Sequence, residues 1–138
     1  MQASLIQPTQ TPRNPPDNLA GFNVPDAIDR MLGQPALWWE ALGLFVHHFA
    51  DWESEWQASQ GNNEAERRLV HALRSSAANV GADHLSCIAA TLEELLAKRC
   101  VGQNTAIPPS VRWYLKDCFR ETWRNAAAAK QLTMATYS

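Results

Sequence analysis

A chain of 138 residues with 46% hydrophobic side chains is long enough for one buried core and too apolar for general disorder. Its formal net charge of −2, from 12 basic and 14 acidic residues, argues against a non-specific nucleic-acid binder, which is ordinarily strongly basic. No run of about 18 apolar residues is present, so no membrane span is expected, and the N-terminus lacks the basic start and apolar stretch of a secretory signal. Cys87, Cys100 and Cys118 lie far apart with no CxxC pair. That argues against a disulfide framework and a structural zinc site, and a reducing cytoplasm is the expected setting.

Residues 1–21 hold Pro8, Pro12, Pro15 and Pro16 among Gln, Thr and Asn, with no apolar period. They are expected to be a flexible Pro-rich linker or tail outside the fold, which suggests that the chain is the end of a longer protein. From Phe22 onward the patterning is helical, without sustained alternation or Asn-Gly hairpins. A short helix is predicted over 24–32, with Pro25 in its first turn and Gly33 ending it. The next is predicted over 35–59, where Trp38, Leu42, Phe45, Phe49, Trp52 and Trp56 recur at spacings of 4, 3, 4, 3 and 4. Leu37 and Leu44 are expected to widen that stripe.

Gly61-Asn62-Asn63 breaks the pattern, and Asn63 with Glu66 reads as a capping pair for a helix over 64–80. Gly81 stops that helix. The following one, over 83–99, is expected to bury Leu85, Ile88, Leu92 and Leu95. After a loop, Pro108-Pro109-Ser110 opens a helix over 110–130, with Val111, Leu115, Cys118 or Phe119, Thr122 and Ala126 facing inward. The fold class is therefore all-α: an antiparallel up-and-down four-helix bundle over 22–130, with a short additional N-terminal helix. Residues 131–138 are expected to fray. The tryptophans read as core and bundle-end packing, and the cysteines as buried, inert thiols.

The helix over 64–80 carries the residue that does not belong to the core. With Leu69, Leu73, Ser76 and Val80 taken as its apolar positions, His71 falls about 190° from the middle of their arc. Arg67, Arg74, Ser75 and Ala78 share its face, and Arg68 stands at the edge. Guanidinium groups repel a metal cation and suit an anion. No carboxylate is expected on this face, which disfavours a general-base enzyme. The other histidines carry less: His47 and His48 point about 100° apart, and His84 sits in the first turn of its helix, in a capping or surface role. Glu93-Glu94 and Glu53-Glu55 read as solvated faces. No metal-ligand pair, phosphate-binding glycine loop or nucleophile elbow is present, so no metal site is assigned.

The stretch from His71 through Leu73-Arg74-Ser75-Ser76 to Gly81-Ala82 and Leu85, continuing to Leu92-Glu93, resembles the signature of histidine-containing phosphotransfer (HPt) domains of bacterial multistep phosphorelays. The family pattern is roughly His-x-Leu-Lys-Gly-Ser-x-x-x-Leu-Gly-Ala-x-x-Leu, then a Leu-Glu pair. Phe22-Asn23-Val24 followed by Ala27, Arg30 and Gly33 resembles its first short helix and turn.

The resemblance implies a phosphocarrier, not an enzyme, with His71 as phosphoacceptor between the aspartates of two response-regulator receiver domains. It implies no cofactor of its own, with Mg²⁺ held by the partner receiver. Arg74, Ser75, Arg67, Arg68 and Ala78 would steady phosphate and bind the receiver, and Gly81 would make the turn. The arginines are expected to help keep the imidazole unprotonated. A monomer is expected, transiently bound to receivers and either free-standing or joined to a hybrid sensor kinase, with no nucleic acid and no membrane contact. Arg74 replaces the family's usual Lys and Ser75 its usual Gly, which bears on transfer rate and partner choice. The alternative is a helical adaptor that docks a signalling partner through the same face without carrying phosphate.

Overall fold

In the computed structural model, residues 15–137 are described, with side chains through Gln131. Among them the ordered elements are helical: α1 (Val24–Arg30), α2 (Pro35–His48), α3 (Trp52–Ser59), α4 (Asn63–Val80), α5 (Asp83–Cys100) and α6 (Pro109–Tyr137). Only an isolated bridge between Leu19 and Phe22 departs from this. α4 packs on α1, α2, α3 and α5; α6 packs on α5 and α2, which closes the ring around one core.

The aromatic stripe is buried throughout, from Trp38 to Trp56, but it is carried by two helices rather than one. The chain turns tightly over 49–51, where Trp52 N bonds Phe49 O at 3.2 Å. Beyond the turn Trp52 and Trp56 stack with ring centroids 5.0 Å apart, and the Trp52 indole donates to Leu69 O at 2.9 Å. Trp38 donates to Val80 O at 2.9 Å and so takes up a carbonyl at the end of α4. Leu37 and Leu44 do not widen the stripe; they are 45% and 53% exposed. Lys130 Nζ lies 3.9 Å from the Trp39 ring centroid and donates to Trp39 O, tying α6 to α2.

The inward faces of α4 and α5 differ in part from the sequence expectation, by about one position, while α6 faces as expected. α4 buries Glu66, Val70, Leu73, Ala77 and Val80, while Leu69 and Ser76 are half-buried. A helix packed by four neighbours buries a wider arc than a single stripe describes. α5 buries Leu85, Ala89, Leu92 and Leu96, leaving Ile88 and Leu95 half-buried. On α6 it is Phe119, not Cys118, that enters the core with Leu115, Thr122 and Ala126.

Helix termini follow local chemistry. Asn62, not Asn63, caps α4, its side chain accepting from Ala65 N at 3.1 Å. At the other end Ala82 N bonds Ala77 O and Gly81 N bonds Ala78 O, a Schellman turn around Gly81 at φ +89°. Gly81 O also accepts from Asn23 N, which seats α1 against this turn.

Three further expectations change. Residues 1–14 of the expected linker lie outside the described residues, but Leu19 packs on the core and Ala20 O accepts from Asn125, so 15–21 are not detached. α6 continues to Tyr137 instead of ending near Lys130. Cys87 is exposed and Cys100 and Cys118 half-buried; burial pushes the Cys118 thiol up from its ordinary range.

Candidate functional site

His71 sits in the middle of α4, one residue past buried Val70 and two before buried Leu73, and its side chain is 53% exposed. Measured from the rotated core face, it still points about 140° away from the core. It leans toward α5, however, and there the surroundings differ from the expected all-arginine face. Glu93 of α5 places Oε2 2.6 Å from His71 Nδ1. An ionised carboxylate can only accept, so in the neutral imidazole this bond places the ring proton on Nδ1 and leaves Nε2 with its lone pair. Nε2 has no hydrogen-bond partner among the described residues.

Glu93 is therefore not a solvated-face residue; its side chain is 15% exposed and bridges two helices. Its other oxygen, Oε1, lies 2.5 Å from Arg74 Nε, in charge contact without the alignment of a hydrogen bond. Arg74 Nη2 is 3.4 Å from His71 Nδ1. With the Nδ1 proton given to Glu93, two donors face each other there, and Glu93 is the group that holds Arg74. The three residues make one cluster on the inner side of the ring, and Ser86 Oγ, two turns before Glu93 on α5, donates to Arg74 O at 3.1 Å and fixes α5 against α4.

The remaining predicted residues surround this cluster unequally. Ser75 is exposed and Ala78 half-buried, and Ala78 O accepts from Arg30 Nη2 at 2.6 Å. Arg67 is paired with Glu64 at 2.8 Å, and the hydrogen bond to that carboxylate raises the guanidinium pKa above its ordinary value. Arg68 is exposed and has no ion-pair partner among the described residues. Gly81 lies at the turn, away from the ring. His47, His48 and His84 are exposed, and among the described residues no cluster of three or more His, Cys, Asp or Glu is placed to hold a metal ion.

Glu93 had a readable signal in the sequence. His71 stands ten residues before Gly81 and Glu93 twelve after it. At about 1.5 Å per residue the two rise roughly 15 and 18 Å from the same turn, so an αα-hairpin brings them level. Glu66, read as a cap, is instead fully buried, accepting from the Trp56 indole at 3.0 Å and from Arg112 through two bonds of 2.8 Å.

The all-helical bundle thus presents one carboxylate-held histidine on an outer helix face. The family comparison makes this specific: the Hpt domain model matches residues 39–129, about two thirds of the chain, and the chain belongs to the Hpt domain family. Domains of this family are phosphocarriers in phosphorelays rather than enzymes, and they interact with response-regulator receiver domains. No curated protein and no solved structure matches the chain. No helix among the described residues is long and apolar enough to cross a membrane.

Proposed function

We propose that this chain carries a phosphoryl group on His71, taken from the aspartyl phosphate of one receiver domain and given to the aspartate of another. The observation that carries the reading is the exposed imidazole with Nδ1 held by Glu93 and Nε2 unpartnered. The Nε2 lone pair attacks phosphorus; the N–P bond forms as the acyl P–O bond breaks, and the receiver's carboxylate leaves with the electron pair. Nε2 carried no proton, so none is released. The ring becomes cationic, and Glu93 faces that charge across Nδ1. Reversal of the same steps on a second receiver completes the relay.

Ser75, Ala78, Arg67 and Arg68 form the surface that meets the receiver, whose acidic pocket supplies Mg²⁺. The chain brings no cofactor and no autokinase activity. The ring of helix contacts supports an antiparallel up-and-down four-helix bundle in which α2 and α3 together form one arm and α1 caps an end. A bundle complete in one chain fits a cytoplasmic monomer that binds receivers transiently.

The test is phosphotransfer from a receiver labelled at its aspartyl phosphate, with Mg²⁺, to this chain and to His71→Gln. Acid-labile, base-stable label that is absent from the variant is the expected result. A folded chain that takes no label from a broad panel of receivers would instead be an adaptor docking through this face.

A further inference from the structure

We propose that two copies of this chain pair antiparallel through the outward face of α6, with Trp113 of each packed on Ala128 of the other and Asp117 of each paired with Arg124 of the other. The bundle is complete in one chain, so this is a reversible association of folded monomers. It does not depend on the assignment of His71.

α6 buries Leu115, Phe119, Thr122 and Ala126. At about 100° per residue, Trp113, Asp117, Arg124 and Ala128 all lie within about 30° of the opposite direction. They make one exposed stripe along the helix. Trp113 is 56% exposed, a large apolar ring left in water, and Tyr114 braces it edge-on with ring centroids 5.4 Å apart. Asp117 and Arg124 have no hydrogen-bond or ion-pair partner among the described residues. The opposite charges that they act on, Arg120 and Glu53, are already bonded to each other. Four residues along the helix each meets a like charge instead, Asp117 with Glu121 and Arg124 with Arg120, which is unfavourable.

A second copy is the partner that fits this stripe. A two-fold axis crossing α6 between residues 120 and 121 sets 117 against 124 of the other copy, and 113 against 128. Each free charge then meets its opposite, twice over. Each Trp113 lies where the other helix carries only methyl side chains, at Ala127 and Ala128. A parallel pair would instead oppose Asp117 to Asp117 and Arg124 to Arg124. One helix face buries less than the about 1,200 Å² of a standard interface, so the dimer is weak and transient. α6 lies across the core from α4, so pairing leaves His71 open on both copies.

The test is sedimentation equilibrium of the full chain at concentrations up to about 1 mM, where a monomer–dimer equilibrium with a Kd of about 0.1 mM is expected. Asp117→Arg and Arg124→Asp, each alone, oppose like charges across the axis and are expected to weaken pairing about tenfold. Mixed in equal amounts, the two variants recreate both ion pairs, and the mixture is expected to return to within about threefold of the parent. Because that rescue needs two folded variants, it separates loss of the interface from loss of the fold. Trp113→Ala is expected to weaken pairing about tenfold as well. A chain that stays monomeric at about 1 mM overturns the proposal and leaves the stripe to a different partner. So does a dimer that any of the three substitutions leaves unchanged, or a mixture that pairs no better than its components.

Discussion

Arg112 of α6 crosses to Glu66 of α4 and places Nε and Nη2 each 2.8 Å from a carboxylate oxygen, although Glu66 has no solvent exposure at all. The Trp56 indole donates to the same carboxylate, so one buried anion joins α3, α4 and α6. Arg112 is the partner that makes burial of this charge tolerable. Arg112→Leu is expected to cost about 3–5 kcal/mol, because it leaves the carboxylate unpaired in the core. Replacing both residues by Leu is expected to recover most of that loss. A residual of about 1–3 kcal/mol remains, since the Trp56 N–H then lacks an acceptor. Urea unfolding of the three proteins checks the order; a double variant no better than Arg112→Leu would show that the charge pair is not the source.

Gly81 and Gly61 both have left-handed backbones, at φ +89° and +101°, but only Gly81 is crowded. A Cβ there would meet Asn23 O at 2.7 Å and Ala27 Cβ at 2.9 Å, whereas at Gly61 nothing lies within 4 Å. Gly61→Ala should cost about 1–2 kcal/mol, from the backbone alone. Gly81→Ala should cost about 3 kcal/mol or more, because the seat of α1 must also shift. Hydrogen exchange at Asn23 N, which donates to Gly81 O, is expected to accelerate in Gly81→Ala and not in Gly61→Ala. Equal losses would mean that the contact with α1 contributes nothing.

These two sites mark how far the sequence could be read. Helix existence was legible because spacing repeats: Trp38 to Trp56 hold a 3–4 period, and all six are buried. The break at 49–51 was not legible, because the apolar period runs straight through a tight turn that keeps Phe49 and Trp52 on the same side. The facing of α4 was misjudged by one position because Ala77 and Glu66 carry little apolar weight, yet both enter the core. His71 stood out as a residue that the core does not need. Glu93 and Glu66 did not, since an acid on a helix is ordinarily solvated; each is held in place by a residue 19 to 46 positions away, Arg74 and Arg112 respectively. Pairing across helices depends on heights and facings that a one-helix reading does not supply.

The two arginines that we propose to face the receiver should differ in strength. Arg67 is neutralised by Glu64, while Arg68 faces solvent without an ion-pair partner among the described residues. Arg68→Glu should therefore slow association with a receiver more than Arg67→Glu does. Both effects should shrink as salt rises, because exposed charges are screened over about 8–10 Å. Stopped-flow association at two ionic strengths checks this. A larger effect from Arg67 would mean that its pair with Glu64 opens on docking.

On the other side of the bundle, Arg120 donates from Nε to Glu53 Oε1 at 2.7 Å and from Nη2 to Oε2 at 2.5 Å. Those bonds hold the Glu53 carboxyl below its ordinary value of 4.5, partial burial opposes them, and the charges of Arg120, Lys116 and Arg124 reinforce them. The folded chain thus binds fewer protons than the unfolded chain between the folded value and 4.5, so stability rises with pH through that window. The contribution is full above 4.5 and is lost as pH falls through the lower, folded value. Glu53→Gln should accordingly be less stable than the parent at neutral pH and approach it in acid. The pair is partly exposed, so the difference stays small. Urea unfolding at a series of pH values from 7 down to about 3 separates the outcomes. Converging curves locate the effect in the ionised pair, whereas a constant offset across the series would assign it to side-chain packing of Glu53 against α6 instead.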